Sequence, residues 1–417
     1  MASATPPPLT QTADGDPLRV LHVITSLARG GAQTHLLELV KGQRARGHHV
    51  EVAYLKDADM VPDFVPAGRG QGDAQGGLPI PVGIAGDDGF GRGIDGIVGV
   101  AGRMMAAISS TRPDVLHTHL LKADALGAAV GWLARVGRPR ALPRAIISSK
   151  HNDEAPLRRP SIARVHGFLS RADDAIICCS DHVARYVTTV GRAPADRIRR
   201  VYYGIDLARP VDLGAERRAE VRAELGIPDR AELVLGVGRL DPQKGWPDLL
   251  AAMGSVIAAR PRAHLLVVGG AQQGDEGFVR SLKVRAAAPD LSGHVTFAGV
   301  RTDVPTLMAS CDLFAMASRW EGFGLVFAEA MAAARPVVAT RVSAVPEVVA
   351  DGETGLLVEP GDVTALAGAI TRILADRPLG GRLGVAGYRR VRERFAAPRM
   401  VDETIAVYRE ALARRAT

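Results

Sequence analysis

Two cations on one short loop are the first residues whose types and spacing suggest chemistry. Arg239 and Lys244 sit in Gly238-Arg-Leu-Asp-Pro-Gln-Lys-Gly245, directly after the apolar run Glu232-Leu-Val-Leu-Gly-Val-Gly238. A buried strand ending on two cations desolvates them to no purpose unless an anion faces them. A diphosphate is the natural partner, because Arg supplies a planar fork of donors and Lys a point charge. The plain alternative is a solvated loop with two surface cations. Further on, Glu321-Gly-Phe-Gly-Leu-Val-Phe-Ala-Glu329 puts a Gly-Phe-Gly turn before a helix expected over 325–333. The first N–H groups of a helix have no partner within it and make an anion site. Glu321 stands before that turn and Glu329 one turn inside the helix. One carboxylate can then meet sugar hydroxyls and the other a ribose diol. Acidic pairs recur at any spacing by chance, so a capping residue plus a solvated Glu is the alternative here.

These residues need elements to position them. Leu18-Arg-Val-Leu-His-Val-Ile24 reads as a strand and Thr25-Ser-Leu-Ala-Arg-Gly-Gly31 as a glycine turn. A helical pattern over 32–46 follows, with Leu36, Leu37, Leu39 and Val40 on one face, ended by Gly47. Val50-Glu-Val-Ala-Tyr-Leu55 is the second strand. A strand–helix–strand unit implies parallel pairing with a right-handed crossover. Further strands are expected over 114–117, 145–148 and 174–179, with helices over 123–134 and 180–190. Residues 66–98, rich in glycine (Gly68, Gly70, Gly72, Gly76, Gly77, Gly89, Gly91, Gly93), read as a flexible loop: a solvated insertion or a mobile wall of a substrate cleft. The second half repeats the alternation, with strands over 232–238, 264–269, 295–298, 313–316 and 336–339. The fold class expected is α/β: two Rossmann-like, doubly wound domains facing across a cleft, with ligands beyond the carboxyl ends of the strands. The divisions expected are a disordered leader over 1–17, an N-terminal acceptor domain over 18–205, a C-terminal donor domain over 206–398, and a last helix over 399–417 packing back toward the first domain.

Composition narrows the function classes. A chain of 417 residues exceeds what one core usually serves. The net charge of +7 is uneven: 25 Lys+Arg face 20 Asp+Glu in residues 1–206, against 27 and 25 in the remainder. Either an Arg-favouring composition or an anionic partner for the first half explains it. No basic helix with interleaved aromatics and no zinc spacing points to nucleic acid. Three cysteines (Cys178, Cys179, Cys311) lack metal-ligand spacing and read as buried apolar residues in a reducing compartment. No apolar run reaches the length of about 20 residues that spans a bilayer, so a cytoplasmic chain, or one peripheral to the inner membrane face, is expected.

Taken together, these motifs resemble the retaining glycosyltransferases of the GT-B fold, glycosyltransferase family 4. The likeness runs through residues 237–245, Val295-Thr-Phe-Ala-Gly299, Ser318-Arg-Trp-Glu-Gly-Phe-Gly-Leu-Val-Phe-Ala-Glu-Ala-Met331, Val345-Pro-Glu-Val-Val349 and Gly355-Leu-Leu-Val358. In the first half it rests on Gly30-Gly-Ala-Gln-Thr-His-Leu-Leu-Glu-Leu39, Pro113-Asp-Val-Leu-His-Thr-His119 and Tyr202-Tyr-Gly-Ile-Asp206. The resemblance implies that Arg239 and Lys244 bind the donor diphosphate and that Glu321 contacts the donor sugar. It implies that the backbone of Phe323, Gly324 and Leu325 cradles sugar and phosphate, and that Glu329 binds the ribose. Gly30 and Gly31 would let their loop approach the phosphate, and His119 would sit near the sugar's hydroxyls, with His117 structural. The chain departs from the family at Tyr203, where Asn is frequent, and at Val342-Ser343, where Gly-Gly is frequent.

The reaction implied moves a sugar from a nucleotide diphosphate sugar (UDP- or GDP-linked) to a hydroxyl of a glycan, lipid-linked or small-molecule acceptor, with anomeric configuration retained. Negative charge builds on the leaving diphosphate, where fixed cations and helix-start amides stabilise it. This arrangement requires no Asp-x-Asp metal motif and none is assigned, so neither a metal nor a cofactor is expected. The basic stretch Arg135, Arg138, Arg140, Arg144 and the 66–98 loop are expected on the acceptor side. Rival readings are a GT-B-fold phosphorylase or epimerase, and a catalytically silent nucleotide-sugar-binding protein.

Overall fold

The computed structural model describes residues 15–56, 59–65, 79–83, 93–137, 142–207, 213–271 and 275–416. In chain order these form β1 (Arg19–Ser26), α1 (Gly31–Ala45), β2 (His49–Lys56), β3 (Ile80–Pro81), α2 (Gly93–Thr111), β4 (Val115–His119), α3 (Leu121–Gly137), β5 (Ala145–Lys150), α4 (Pro160–Leu169), β6 (Ala175–Cys178), α5 (Asp181–Thr189) and β7 (Ile198–Arg200). The second half runs α6 (Gly214–Glu224), β8 (Glu232–Val237), α7 (Trp246–Ala259), β9 (Ala263–Val268), α8 (Glu276–Ala286), β10 (Val295–Gly299), α9 (Val304–Ser310), β11 (Leu313–Met316), α10 (Leu325–Ala332), β12 (Val337–Thr340), α11 (Val345–Val348) and β13 (Gly355–Val358), then α12 (Val363–Ala375), α13 (Arg377–Arg394) and α14 (Ala397–Ala416).

Two compact units result: Met1–Gly204 joined by Ala397–Thr417, and Ile205–Ala396. The first sheet is ordered β3-β2-β1-β4-β5-β6-β7 and the second β10-β9-β8-β11-β12-β13. All their pairings are parallel. This is the doubly wound α/β architecture expected from the alternation of strands and helices. Parallel strands covered on both faces are as a rule near-continuously apolar; β4, β5, β8 and β9 are buried along their whole length, and β4 and β5 depart from the rule with His117, Thr118, His119, Ser148, Ser149 and Lys150. In both sheets the order reverses next to the first strand of its unit, between β1 and β4 and between β8 and β11. Crossovers leave in opposite directions there, opening a crevice at the strands' carboxyl ends.

In the first unit one core layer joins Val20 and Ile24 of β1 to Leu36, Leu39 and Val40 of α1 and to Met400, Val401 and Tyr408 of α14. Leu21, Val23 and Leu116 face the opposite layer with Val100, Met104 and Ile108 of α2. That second layer corrects the reading of 66–98 as a continuous loop. Residues 93–98 already belong to α2, and Ile80–Pro81 adds an edge strand beside β2. Their glycines hid the helical period until Val100, beyond the expected loop. Residues 66–78 and 84–92 lie outside the described residues, as do residues 1–14 of the expected leader. The three cysteines are buried thiols outside any disulfide, and burial pushes the Cys178 and Cys311 thiols up to about 12.

Candidate functional site

At the switch point of the second unit, β8 delivers the chain to Arg239 and β11 delivers it to Glu321. Asp241 shapes the first loop: its carboxylate accepts from the Lys244 N–H at 3.3 Å and lies 3.0 Å from the Arg239 guanidinium. Arg239 also donates to Gln243 Oε1 at 2.8 Å. Trp246, fully buried, donates its indole N–H to the Arg239 carbonyl at 2.8 Å and ties the loop to the core. Between them Gly245 has φ +64, and a Cβ there would lie 1.8 Å from the Ala317 carbonyl oxygen. Only glycine lets α7 begin this close to the end of β11.

The two loops meet through charge. Lys244 Nζ is 2.6 Å from Glu321 Oε1, and Ser318 Oγ–H donates to the same oxygen at 2.8 Å. Glu321 is 6% exposed and Ser318 is fully buried, so this pair is largely withdrawn from water. A buried pair of this kind is stable only while both members remain. Three residues on, Gly324 caps α10 with φ +86. Phe323 contributes backbone alone at this turn, because its ring is buried edge-to-face against Phe395 at 5.4 Å. Leu325 opens α10 and Glu329 follows one turn later, half-buried. The structure therefore brings Arg239, Lys244, Glu321, Phe323, Gly324 and Leu325 to one pair of strand ends. Asp241 and Ser318, which hold the cation and the carboxylate in place, lay inside the motifs unassigned.

Ser343, where the family often has glycine, has φ +46. The backbone there keeps the left-handed conformation that favours glycine.

The first unit's switch point is built differently. His119 ends β4 fully buried. Its Nε2 is 3.0 Å from His22 Nδ1 and its Nδ1 is 3.2 Å from His151 Nε2. His22 Nε2 lies 2.9 Å from Gln43 Oε1, and His151 Nδ1 bonds the Tyr203 hydroxyl. His117, on the same strand face, bonds Tyr408 Oη at 2.6 Å and Ser149 Oγ at 2.7 Å. The sheet register explains the grouping: His22 pairs with His117 across β1 and β4, and His119 with Ser149 across β4 and β5. Burial is the main cause that keeps these rings neutral, with His22 lowered to about 4, His151 to about 3, and His35, His117 and His119 well below their usual value. Tyr203, the departure from the family's Asn, stacks on His35 at 4.2 Å. His22, Gln43, His151 and Tyr408 were not anticipated. The only local signal was a histidine between Val20 and Ile24 on an otherwise apolar strand face.

Gly30 precedes α1 in extended backbone and Gly31 opens it; a Cβ on Gly31 would meet no atom of the chain within 4 Å. Among the described residues nothing requires glycine there, and none of them fills the space beside it. Two Asp-x-Asp triplets do occur, Asp14-Gly-Asp16 and Asp57-Ala-Asp59, and Asp14 lies outside the described residues. Asp59 accepts from the Arg29 N–H at 3.0 Å and pairs with its guanidinium, while Asp57 lies outside the described residues. Of the basic stretch, Arg144 pairs loosely with Asp114 at 3.6 Å; Arg138, Arg140 and the Arg135 side chain lie outside the described residues. No helix among the described residues is long and apolar enough to cross a membrane.

Two parallel α/β units, one carrying an Arg/Lys/Glu cluster beside a glycine-started helix, define the sugar-transferring class that comparison with known proteins identifies. Residues 217–390 match the family model Glycosyl transferases group 1, and residues 29–209 match Glycosyltransferase Family 4. The D-inositol 3-phosphate glycosyltransferase of Stackebrandtia nassauensis is 30% identical over 443 residues, covering all of this chain and 92% of that protein. The lipopolysaccharide core biosynthesis mannosyltransferase LpsB of Rhizobium meliloti is 33% identical over 246 residues, 58% of this chain and 67% of its own length. Among solved structures, Anabaena Alr3699/HepE in complex with UDP and glucose superposes with a TM-score of 0.79 at 23% identity, covering 94% of this chain and all of that one. Sucrose-phosphate synthase (tll1590) from Thermosynechococcus elongatus follows at 0.72 and 25%, covering 95% of this chain and all of that one. The chain belongs to glycosyltransferase family 4, with the GT-B fold. It is an enzyme that moves sugars from nucleotide sugars.

Proposed function

We propose that this glycosyltransferase retains the anomeric configuration of its donor and uses a UDP- or GDP-sugar, passing the sugar to a hydroxyl of a glycan, lipid-linked or small-molecule acceptor. The observation that carries this reading is the Lys244–Glu321 pair at 2.6 Å beside the start of α10. A cation and a carboxylate in contact suit a ligand whose phosphate and sugar are themselves adjacent. Arg239 and Lys244 take the diphosphate, and the backbone of Phe323, Gly324 and Leu325 adds helix-start donors. Glu321 takes a sugar hydroxyl and Glu329 the ribose diol. As the bond to the leaving diphosphate breaks, the charge accumulating on it falls among donors already fixed by Asp241, Ser318 and Trp246, so little reorganisation accompanies the reaction. The UDP complexes of Alr3699/HepE support a uridine donor. In the first unit, Gly30, Gly31 and His119 are the residues this reading assigns to ligand. The same reading has the chain acting in the cytoplasm, at the inner membrane face when its acceptor is lipid-linked.

Kinetics and product analysis test it together. Glu321→Ala is expected to lower kcat strongly with nucleotide affinity nearly kept, and Glu329→Ala to raise KM through the lost ribose contact. Proton NMR of the new linkage is expected to show the donor's configuration. An inverted product overturns the retaining assignment, and identical kinetic defects in both variants overturn the division of roles.

A further inference from the structure

The hydrogen bonds of the first unit's histidine cluster have one direction. A neutral imidazole has one N–H and one lone pair, so fixing one ring fixes its neighbour. The fixed starting point is the Gln43 amide, whose oxygen only accepts and whose nitrogen only donates. Gln43 Oε1 faces His22 Nε2 at 2.9 Å, so His22 carries its proton on Nε2. His22 Nδ1 then accepts from His119 Nε2–H at 3.0 Å. His119 Nδ1 accepts from His151 Nε2–H at 3.2 Å, and His151 Nδ1 accepts from the Tyr203 hydroxyl. On the other side Gln43 Nε2–H donates to Tyr408 Oη at 3.2 Å, Tyr408 donates to His117 Nδ1 at 2.6 Å, and His117 Nε2–H donates to Ser149 Oγ at 2.7 Å. The result is a single head-to-tail chain from Tyr203 through Gln43 to Ser149. All four of its rings share the Nε2–H tautomer. Turning the Gln43 amide over would exchange its oxygen and nitrogen, and every link would have to reverse.

We propose that Gln43 is a positioning residue of this enzyme: acting through His22, it holds His119 with the proton on Nε2 and a lone pair on Nδ1. A ligand that replaces His151 at His119 therefore finds an acceptor, which matches a sugar hydroxyl and not a carbonyl or phosphate oxygen. This functional consequence rests on His119 being a ligand residue; the tautomer assignment does not. Gln43 comes from α1; β1, β4, β5, α14 and the segments just after β5 and β7 contribute the rest, and no charged side chain is a link in the chain. The nitrogens of His22, His117 and His119 lie within 4.8 Å of one another, an arrangement that also resembles a metal site. Here each of those nitrogens already has a hydrogen-bond partner, and a cation would have to break links on both sides of Gln43.

Long-range proton–nitrogen NMR on the full chain with labelled histidine reads the tautomers directly. At pH 7, His22, His117, His119 and His151 are expected to show protonated Nε2 and bare Nδ1. Any of the four in the opposite tautomer, or charged, overturns the proposal, as does uptake of one equivalent of zinc with loss of these signals. Gln43→Met keeps the shape and removes both amide links. It is expected to leave His22 and His119 as tautomer mixtures, and to lower kcat severalfold with KM for the donor little changed. Unaltered His119 signals in a folded Gln43→Met protein overturn the role of Gln43. A mixed tautomer with unaltered kcat sustains the pinning and instead removes His119 from the ligand site. Should the variant not fold, the wild-type spectrum still decides the polarity of the chain.

Discussion

The switch points of the two units occupy the same place in the same topology and are chemically opposite. Beside β8 and β11 the side chains are charged and paired, Arg239 with Asp241 and Lys244 with Glu321. On the face of β1 and β4 that carries His22, His117 and His119 they are neutral, with four imidazoles, an amide and two phenols in one hydrogen-bonded chain, while the buried Lys150–Asp124 pair meets β4 through Thr118. The fold supplies a crevice at the strand ends, and the residues that arrive there decide what it can do. Charge suits a diphosphate, where strength matters. A fixed, uncharged chain suits hydroxyls, where the direction of each proton matters.

Acid should separate the two most. A buried histidine with a lowered pKa stabilises the fold above its unfolded value of about 6.5, and that stability is lost as the pH falls toward the folded value, because the unfolded state takes the proton first. The first unit holds six such rings: His22, His35, His117, His119, His151 and His166. Two carboxyls there, Glu154 and Asp173, are raised to about 7 by burial and act oppositely, losing stability as the pH rises toward 7. In the second unit His264 is lowered, to about 4. Loss of the His22 contribution by itself amounts to on the order of 3 kcal/mol by pH 4. Amide hydrogen exchange at pH 7 and pH 5 should show β1 and β4 losing protection before β8 and β11. Equal loss in both sheets would remove the electrostatic contrast.

A smaller effect tests the charged side. Lys244→Ala deletes one member of a pair whose partner, Glu321, is 6% exposed. Diphosphate binding by calorimetry should weaken by about 2–5 kcal/mol, with nucleoside binding much less affected. Equal diphosphate affinity in mutant and parent would remove Lys244 from the site.

The smallest concerns Ser343. Its φ of +46 costs a non-glycine residue about 1 kcal/mol, which Ser343→Gly relieves, while the freer unfolded chain takes back a similar amount. The melting temperature should move by no more than a few degrees, whereas β-branched Ser343→Val should lower it clearly. A Val variant as stable as the parent would show that this turn is not strained.

Much of the second site was legible because its residues are close in sequence. Arg239 and Lys244 share one loop, and Glu321, Gly324 and Leu325 share one turn, so strand, glycine and helix signals alone put them together. The fold class was legible for the same reason, since alternating strands and helices leave few topologies open. What the sequence could not order was the approach of those two loops. The contact between Lys244 and Glu321 exists because β8 and β11 are neighbours in the sheet. The first site was almost wholly a tertiary product. His22, Gln43, His119, His151, Tyr203 and Tyr408 come from two strands, two helices and the segments after β5 and β7, and Tyr408 arrives with a C-terminal helix that returns to the first unit. Local patterning reports which face a side chain takes, but a hydrogen-bond partner hundreds of residues away leaves no periodic trace. The direction of that chain depends on how one amide is turned, and only the packed structure fixes it.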